Sequence, residues 1–352
     1  MRIVLANPRG FCAGVHMAIQ VVEQLVELVD GPVYVYHDIV HNTHVVRRFQ
    51  DEGVIFVEDI QEVPKGAYVV FSAHGIPPQV RMAAAERNLK AIDATCPLVT
   101  KVHMEAIRYA KRGYQILLVG HADHQEIIGT SGEAPEQTQV VETPDDIPNL
   151  QIDDPTKLVY LTQTTLSTDD ADIIIHALKR AFPDIQAPPT DDICYATTNR
   201  QHAVRELAPS CDLTVVVGST TSSNSKRLTE ISQNVGTPGV LIDDVTQLDR
   251  SLLEGVDRVL VTAGASVPED LVQQLCRVLV REYDAAIEVA SLVDESTEFQ
   301  LPKTLRDEMR QRGIEPEKHR VQIGRWQVTP DLYGTVPVTI SAPAATESGS
   351  TS

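Results

Sequence analysis

Three cysteines each stand directly before a predicted helix, a position that can make a sulfur reactive. Cys12 lies in the stretch Asn-Pro-Arg-Gly-Phe-Cys-Ala-Gly, Cys96 in Asp-Ala-Thr-Cys-Pro, and Cys194 in Asp-Asp-Ile-Cys-Tyr. The unpaired N–H groups and the dipole at the start of a helix favour a thiolate over a thiol. All three sulfurs are therefore placed to act as metal ligands or nucleophiles.

The spacing of these cysteines restricts what they can bind. They are 84 and 98 residues apart, whereas zinc ribbons and local ferredoxin motifs need closely spaced pairs. They can meet only through the fold. Three converging thiolates with no evident fourth predict a cubane iron–sulfur cluster in which one iron stays open to substrate. The remaining cysteines, Cys211 and Cys276, lie in ordinary apolar contexts and are expected to be buried packing residues.

Polar residues recur at matched distances after each cysteine, at the ends of predicted strands. The distances are 29 and 62 residues after Cys12, 28 and 68 after Cys96, and 28 and 72 after Cys194. The residues at these positions are His41, His74, His124, Thr164, Ser222 and Ser266. Three copies of one layout predict three α/β subdomains whose polar strand ends face one another, because ligands of open α/β sheets bind beyond the carboxyl ends of the strands.

These polar strand ends predict an anion site. Histidines, hydroxyls and an amide donate the hydrogen bonds that hold phosphate oxygens, particularly where helix N-termini point the same way. A diphosphate fits such a set. A single serine or threonine at such a place is more often a helix cap, and it is the collection of these residues at six matched strand ends that favours a site.

The elements that must position these residues are strand-like runs that alternate with helical patterns. The runs cover residues 2–6, 33–36, 68–71, 116–119, 158–161, 213–217 and 259–261. This alternation is typical of α/β units on parallel sheets. The predicted fold class is therefore α/β, with three similar subdomains in a pseudo-threefold arrangement around a central iron–sulfur cluster.

The length of 352 residues is too great for one ordinary core and predicts several subdomains. We place them at residues 1–95, with the first strand and Cys12, at 96–193 and at 194–288. Residues 289–341 form a C-terminal extension to which the sequence assigns no role, with a helical pattern at 301–313 and a strand-like pattern at 320–340. Residues 342–352 are small and polar and are expected to be disordered.

Composition excludes several classes of protein. The net charge of −19 argues against a nucleic-acid binder. Neither a signal leader nor an apolar run long enough for a membrane span is visible, so we expect a soluble cytoplasmic protein without a membrane role. Five cysteines are an odd set that favours metal or catalysis over disulfides. Dinucleotide and P-loop motifs are also missing, so electrons are expected to come from a partner protein.

Four motifs resemble those of a known family, the 4-hydroxy-3-methylbut-2-enyl diphosphate reductases that end the non-mevalonate isoprenoid pathway. The motifs are Ala-Asn-Pro-Arg-Gly-Phe-Cys-Ala-Gly-Val at 6–15, Phe-Ser-Ala-His-Gly at 71–75, Asp-Ala-Thr-Cys-Pro-Leu-Val-Thr-Lys-Val-His at 93–103, and Asp-Asp-Ile-Cys-Tyr-Ala-Thr-Thr-Asn-Arg-Gln at 191–201. The resemblance runs from Met1 to about Glu288 and is highly specific. It implies a three-lobed fold around a [4Fe–4S] cluster held by Cys12, Cys96 and Cys194.

The resemblance also implies the roles of individual residues. It places Glu126 and Thr164 beside the hydroxyl of an allylic diphosphate substrate. The residues that it implies for the diphosphate are His41, His74, His124, Ser222, Ser223, Asn224 and Ser266. The implied reaction is a reductive dehydroxylation to isopentenyl and dimethylallyl diphosphate, in which Glu126 supplies a proton through Thr164 and a ferredoxin or flavodoxin supplies two electrons.

The chain departs from the family pattern in three places. Asn-Thr-His at 42–44 replaces the usual Asn-Arg-Tyr, and Ser-Thr-Thr-Ser at 219–222 replaces Ser-Lys-Asn-Ser. The family usually has His-Pro-Glu-Val-Glu-Gly, where this chain has His-Gln-Glu-Ile-Ile-Gly, so that Gln125 replaces a proline and Ile128 a carboxylate. Both His124 and Glu126 are kept. The change affects the details of the loop, not the chemistry.

Three other classes of function remain open on the residues alone. A redox-neutral hydro-lyase could use the same three-cysteine cluster as a Lewis acid, and it would turn over an allylic diphosphate without a reductant. A zinc hydrolase would use histidine and cysteine ligands and would be colourless. A binding or sensor module would hold a cluster without turnover.

Overall fold

The computed structural model describes residues 1–316, Tyr333 and residues 338–340. These residues form two compact units. The first unit contains residues 1–11 and 198–296 with 333 and 338–340, and the second contains residues 12–197 and 297–316. The subdomain boundaries expected near 95, 193 and 288 stay predictions.

The described part of the chain contains strands and helices in alternation. Its strands are β1 (Arg2–Asn7), β2 (Val33–Tyr36), β3 (Ile55–Val57), β4 (Tyr68–Phe71), β5 (Lys90–Asp93), β6 (Gln115–Val119), β7 (Thr138–Val141), β8 (Leu158–Thr162), β9 (Leu213–Val217), β10 (Gly239–Ile242), β11 (Arg258–Ala263), β12 (Ala286–Ser291) and β13 (Val338–Ile340). Its α-helices are α1 (Ala13–Leu28), α2 (Thr43–Asp51), α3 (Pro78–Glu86), α4 (Pro97–Lys111), α5 (Gln125–Glu133), α6 (Thr168–Ala181), α7 (Tyr195–Leu207), α8 (Ser223–Asn234), α9 (Glu269–Tyr283) and α10 (Lys303–Gln311).

The first unit is built on a six-stranded sheet in the order β10-β9-β11-β1-β12-β13, in which all pairs are parallel. Its first strand lies inside the sheet, with Arg2 opposite Arg258 on one side and opposite Ala286 on the other. Successive side chains of a strand point to opposite faces. Ile3 accordingly packs into the core on one face and Val4 into the core on the other. Both faces are therefore buried, which explains why the strands are continuous apolar runs.

The second unit contains two further parallel sheets. One has the strand order β3-β2-β4-β5 and the other the order β7-β6-β8. Helices follow most of the strands, as βαβ connections between parallel strands require. The α/β class with parallel sheets is thus confirmed. The predicted strand runs all coincide with strands of the structure, and the apolar spacing after Cys12 and Cys96 corresponds to α1 and α4.

The C-terminal segment contributes to both units within the described residues. In the second unit, α10 confirms the helix predicted over 301–313, and its Glu308 accepts a hydrogen bond from Tyr68 at 2.8 Å. In the first unit, β13 pairs with β12. The rest of the strand-like pattern at 320–340 and the tail at 342–352 lie outside the described residues, apart from Tyr333.

Tyr333 belongs to a buried group of three side chains in the first unit. Its hydroxyl donates to Glu269 Oε1 at 2.5 Å and accepts from Arg9 Nη2 at 3.0 Å, while the Arg9 guanidinium also donates to Glu269. All three side chains are buried. The hydroxyl of Tyr333 therefore ties the C-terminal segment to the loop that follows β1.

Over the described residues, no helix combines the length and the apolar character that crossing a membrane requires.

Candidate active site

Three histidine rings meet at one place in the second unit. The centroids of the stacked His41 and His74 rings are 3.9 Å apart, and the His124 ring stands edge-on to them at 5.6 and 6.1 Å. Each histidine follows a different strand, β2, β4 or β6. The structure thus brings together the three histidines that the sequence placed at polar strand ends.

Helix starts fix two of these histidines. Asn42 Oδ1 accepts the amides of His44 and Val45 at 3.0 and 3.1 Å, which begins α2 directly after His41. His124 is the N-cap of α5, where its Nδ1 accepts from the amide of Glu126 at 3.2 Å. Because Nδ1 is an acceptor here, the neutral His124 ring carries its proton on Nε2.

The histidines are neutral at pH 7 when no anion is present. Burial lowers the pKa of His41 to about 4, and the neighbouring His124 adds to the shift. Burial also lowers the pKa of His124 to about 4. For His74, burial and then the two neighbouring rings lower the pKa well below its usual value. An anion that lies against the rings would oppose these shifts, because it favours the charged imidazolium.

Unsatisfied polar atoms lie beside the histidines. Within residues 1–316, Ser72 Oγ and His74 Nδ1 are buried and have no hydrogen-bond partner. A buried polar atom without a partner costs free energy, so such atoms are uncommon in native proteins and point to a missing ligand or water. Their position at the carboxyl end of β4 suits the oxygens of a phosphate.

His103, on α4, packs against the backbone near the histidine group. A Cβ on Gly75 would come within 2.9 Å of His103 Nε2, and one on Gly129 within 3.1 Å, so both positions need glycine. His103 Nδ1 lies 2.9 Å from Glu133 Oε1, which orients the ring. The imidazole therefore fills the space between the turn after His74 and helix α5.

Glu126 and Thr164 are hydrogen-bonded to each other in the second unit. The Thr164 hydroxyl donates to the Glu126 carboxylate at 2.9 Å, and the Thr164 amide donates to its Oε2 at 3.0 Å. Burial raises the pKa of Glu126 above its usual value, although the bonds from Thr164 oppose that shift. A buried carboxyl with a raised pKa suits proton donation.

Cys12 and Cys96 approach each other across Gly14. A Cβ on Gly14 would lie 2.6 Å from Cys96 Sγ and 4.0 Å from Cys12 Sγ. Cys96 is the N-cap of α4 and its amide donates to the carbonyl of Ala73 at 3.0 Å, one residue before His74. The two sulfurs thus share a space that glycine keeps open.

Cys194, the third of the cysteines that precede helices, also lies in the second unit. Its amide donates to the carbonyl of Thr164 at 3.0 Å, and its Sγ accepts from the amide of Thr197 at 3.4 Å. Burial raises the pKa of Cys194 to about 11, with Cys12 as the next cause, and burial raises the pKa of Cys96 further. In the metal-free protein, burial therefore outweighs the preference for a thiolate that was expected at the helix starts.

Within the described residues, no three His, Cys, Asp or Glu side chains are close enough to hold one metal ion. Cys12 and Cys194 are near enough to Cys96 to help raise its pKa, and Gly14 packs directly against the Cys96 side chain.

The first unit holds the remaining predicted site residues. Ser222 is the N-cap of α8 and accepts from the amide of Ser225 at 3.3 Å, which is the helix-cap role that a single serine often has. Both amide atoms of Asn224 are buried and, within the described residues, have no partner. A Cβ on Gly264 would lie 3.5 Å from Asn224 Nδ2, so this amide points to the end of β11, close in sequence to the buried Ser266. Ser223 is the first residue of α8.

The sequence interpretation missed two hydroxyls next to Cys194. The Tyr195 hydroxyl accepts from the amide of Ala13, the residue after Cys12, at 3.2 Å. The Thr197 hydroxyl lies 3.2 Å from Cys194 Sγ. Both follow the third cysteine directly in the sequence, which is the signal that could have marked them as supports of the sulfur sites.

Comparison with known proteins identifies the family. The family model described as LytB protein matches residues 3–280. The 4-hydroxy-3-methylbut-2-enyl diphosphate reductase of Rhodopirellula baltica is 51% identical over 306 residues, which cover 87% of this chain and 96% of that protein. The enzyme of the same name from Nocardia farcinica is 50% identical over 306 residues, which cover 87% of this chain and 91% of that protein.

Solved structures agree with the sequence relatives. The E-1-hydroxy-2-methyl-but-2-enyl-4-diphosphate reductase of Plasmodium falciparum superposes with a TM-score of 0.87 at 42% identity, over 89% of this chain and 99% of that one. Both the family match and the relatives span well over half of this chain. The chain therefore belongs to the LytB protein family.

Proposed function

We propose that the chain catalyses the reductive dehydroxylation of (E)-4-hydroxy-3-methylbut-2-enyl diphosphate to isopentenyl diphosphate and dimethylallyl diphosphate, with release of water. The relatives from Rhodopirellula baltica and Nocardia farcinica are named as reductases of this compound. The observation that carries the proposal is the stacked histidine group in the same unit as three cysteines and a Glu126 whose pKa is raised by burial.

The histidines bind the diphosphate in this proposal. The rings of His41, His74 and His124, of which His74 is buried and the other two are partly buried, offer N–H donors. Ser72 Oγ and His74 Nδ1 have no partner within residues 1–316. Hydrogen bonds to an ionised phosphate are shorter and about twice as strong as neutral ones. From the family resemblance we assign further diphosphate contacts to the polar residues of the first unit, which are Ser222, Ser223, Asn224 and Ser266.

Glu126 supplies the proton that the departing hydroxyl needs. Its burial keeps the carboxyl protonated to higher pH than an exposed glutamate, and the Thr164 hydroxyl lies 2.9 Å away to pass the proton on or to hold the substrate oxygen. A hydroxyl leaves as water only after protonation. A proton on one end of the remaining allylic unit gives isopentenyl diphosphate, and a proton on the other end gives dimethylallyl diphosphate.

Cys12, Cys96 and Cys194 would hold a [4Fe–4S] cluster, which leaves one iron without a protein ligand. When bound, the cluster supplies two electrons and a Lewis-acidic iron. Burial raises the pKa of Cys96 and Cys194, and cluster binding would have to offset that cost, because a coordinating thiol is deprotonated. The electrons come from a ferredoxin or flavodoxin type of donor, and the expected cytoplasmic location stays a prediction.

Anaerobic turnover tests the proposal. Protein purified without oxygen should be brown, carry roughly four irons per chain, and convert the hydroxylated diphosphate with a reduced viologen as electron source. Omitting the reductant should abolish turnover. Conversion without a reductant would identify a redox-neutral hydro-lyase instead, and a colourless protein that contains zinc would overturn the cofactor assignment.

A further inference from the structure

Lys101 connects the helix that follows one proposed cluster ligand to the loop that precedes another. It lies on α4, five residues after Cys96. Its ammonium donates to the backbone carbonyls of Thr190 and Asp191 at 2.8 and 2.9 Å. The third donor goes to Asp192 Oδ1 at 3.0 Å. Cys194 follows this loop directly, so one side chain joins the two cysteine segments.

The loop is held from its other side as well. The second oxygen of Asp192, Oδ2, accepts from the amide of Thr162 at 2.9 Å, at the end of β8. The Asp192 side chain is fully buried. The Cys194 amide in turn donates to the carbonyl of Thr164. The short segment from Asp192 to Cys194 is therefore fixed to β8 on one side and to α4 on the other.

An ammonium is the group that this arrangement needs. Lysine has three donors on one nitrogen, and here three oxygens take them. A planar guanidinium presents its donors in a flat fork and does not match three oxygens around a single point. Without the ammonium, two backbone carbonyls and a buried carboxylate lose a partner, and that loss falls on the loop before Cys194.

We propose that Lys101 is a positioning residue that sets the spacing between Cys96 and Cys194, so that both can hold the same cluster. The inference rests on the proposed function for the existence of the cluster, but it concerns a residue to which the family resemblance assigned no role. Lys101 does not touch substrate. It acts through the two sulfurs, because it holds the backbone that carries one of them against the helix that starts at the other.

The variant Lys101→Met tests the proposal, because it keeps the aliphatic stem and removes the ammonium. The experiment reconstitutes the full chain anaerobically and measures iron per chain, the rate of iron release to a chelator, and the electron paramagnetic resonance spectrum of the reduced protein. We expect iron release to become about tenfold faster or more, as for other residues that orient metal ligands, with a changed spectrum. Lys111→Met is the matched control, since Lys111 is an exposed residue of the same helix.

A second variant covers the case in which Lys101→Met does not fold. Asp192→Asn keeps an oxygen for Lys101 and both of its carbonyl contacts, but its amide nitrogen cannot accept from the Thr162 amide, and we expect it to accelerate iron release as well. Equal release rates and unchanged spectra in the folded variants would overturn the positioning role. A wild-type chain without iron would contradict the proposed function instead, so the iron content of the wild type separates the two outcomes.

Discussion

The imidazole rings of His41 and His74 stack with their centroids 3.9 Å apart, in a place where burial keeps both neutral. Two cationic rings at this distance would repel each other in the free protein. A diphosphate between them and solvent removes that obstacle, because its negative charge favours the protonated rings. The stacked pair therefore couples binding of the anion to uptake of protons.

The first prediction is that diphosphate binding takes up protons. The pKa of His41 and of His124 is about 4 in the free protein, so both rings are neutral at pH 7. The anion raises both pKa values, because it favours the charged rings. Affinity should then rise as pH falls from about 7.5 towards 5.5, the range in which a raised histidine pKa would lie. Calorimetry with inorganic diphosphate in two buffers of different ionisation heat measures the number of protons.

His41→Asn should reduce this proton uptake and weaken binding by about 1–3 kcal/mol, the usual range for a lost charge-assisted hydrogen bond. His176→Asn, at an exposed position of α6, serves as control and should leave both unchanged. Proton changes of the diphosphate itself are common to all three proteins. Identical uptake in wild type and His41→Asn would show that the histidines do not respond to the anion.

A second prediction concerns Glu126. Glu126→Gln keeps the size of the side chain and can still accept the hydrogen bond from Thr164, but it has no acidic proton. It should keep its iron and its diphosphate affinity and lose about a hundredfold or more in single-turnover rate, as expected for a general acid. Pre-reduced enzyme mixed with substrate gives this rate without the electron donor. Glu136→Gln, on the exposed surface nearby, is the control, and a normal rate in Glu126→Gln would assign the proton to another source.

The five cysteines should divide into two classes. Serine at Cys12, Cys96 or Cys194 should strip the cluster, as measured by iron content after anaerobic purification. Serine at the buried Cys276 or the partly buried Cys211 should keep the iron and cost only packing energy, of order 1–3 kcal/mol in chemical unfolding. Full iron in any variant of the first class, or loss of iron in the second, contradicts the division.

Gly14 should not tolerate alanine, even though it lies inside α1, where alanine is the better helix former by about 1 kcal/mol. The added Cβ would lie 2.6 Å from Cys96 Sγ. Gly14→Ala should therefore destabilise the metal-free protein and lower its iron uptake. In a Cys96→Ala background the sulfur is gone and the nearest atom is the Cβ of residue 96 at 3.3 Å, so the same change should destabilise the protein much less there. Thermal unfolding of the four proteins gives the comparison.

Tyr333→Phe tests the contact of the C-terminal segment. The change removes a hydroxyl that donates to Glu269 at 2.5 Å and accepts from Arg9 at 3.0 Å in a buried place. Stability against urea should fall by about 1–3 kcal/mol, since Arg9 loses an acceptor. Tyr283→Phe, at a partly buried tyrosine of the same unit, should change it much less. An equal effect of the two changes would mean that the hydroxyl of Tyr333 contributes nothing beyond its ring.

Local patterns made much of the fold predictable. The strands that end near His41, His74 and His124 and the helices after Cys12 and Cys96 follow from apolar spacing within a few residues, because such spacing directly reflects which face is buried. The matched distances after each cysteine also indicated which polar residues gather. In the second unit, the structure places three of them in contact.

Long-range packing decided what the sequence could not show. The pairing of β1 with β11 and β12 depends on partners far along the chain, and no local signal encodes it. The ionisation of Cys96 was misjudged because the start of a helix is visible in the sequence whereas the degree of burial is not. The contacts of Lys101 with the loop at 190–192 were missed for the same reason.

The position of β1 inside its sheet has a consequence for synthesis on the ribosome. Arg2 is made long before its partners, because its strand pairs with residue 258 on one side and residue 286 on the other. At translation rates of roughly 5–20 residues per second, the first strand waits on the order of 10 to 50 seconds for its first partner. During that time its apolar residues, which the finished protein buries completely, have no strand to pair with, and the loop that leads to Cys12 can settle only after those partners have been made.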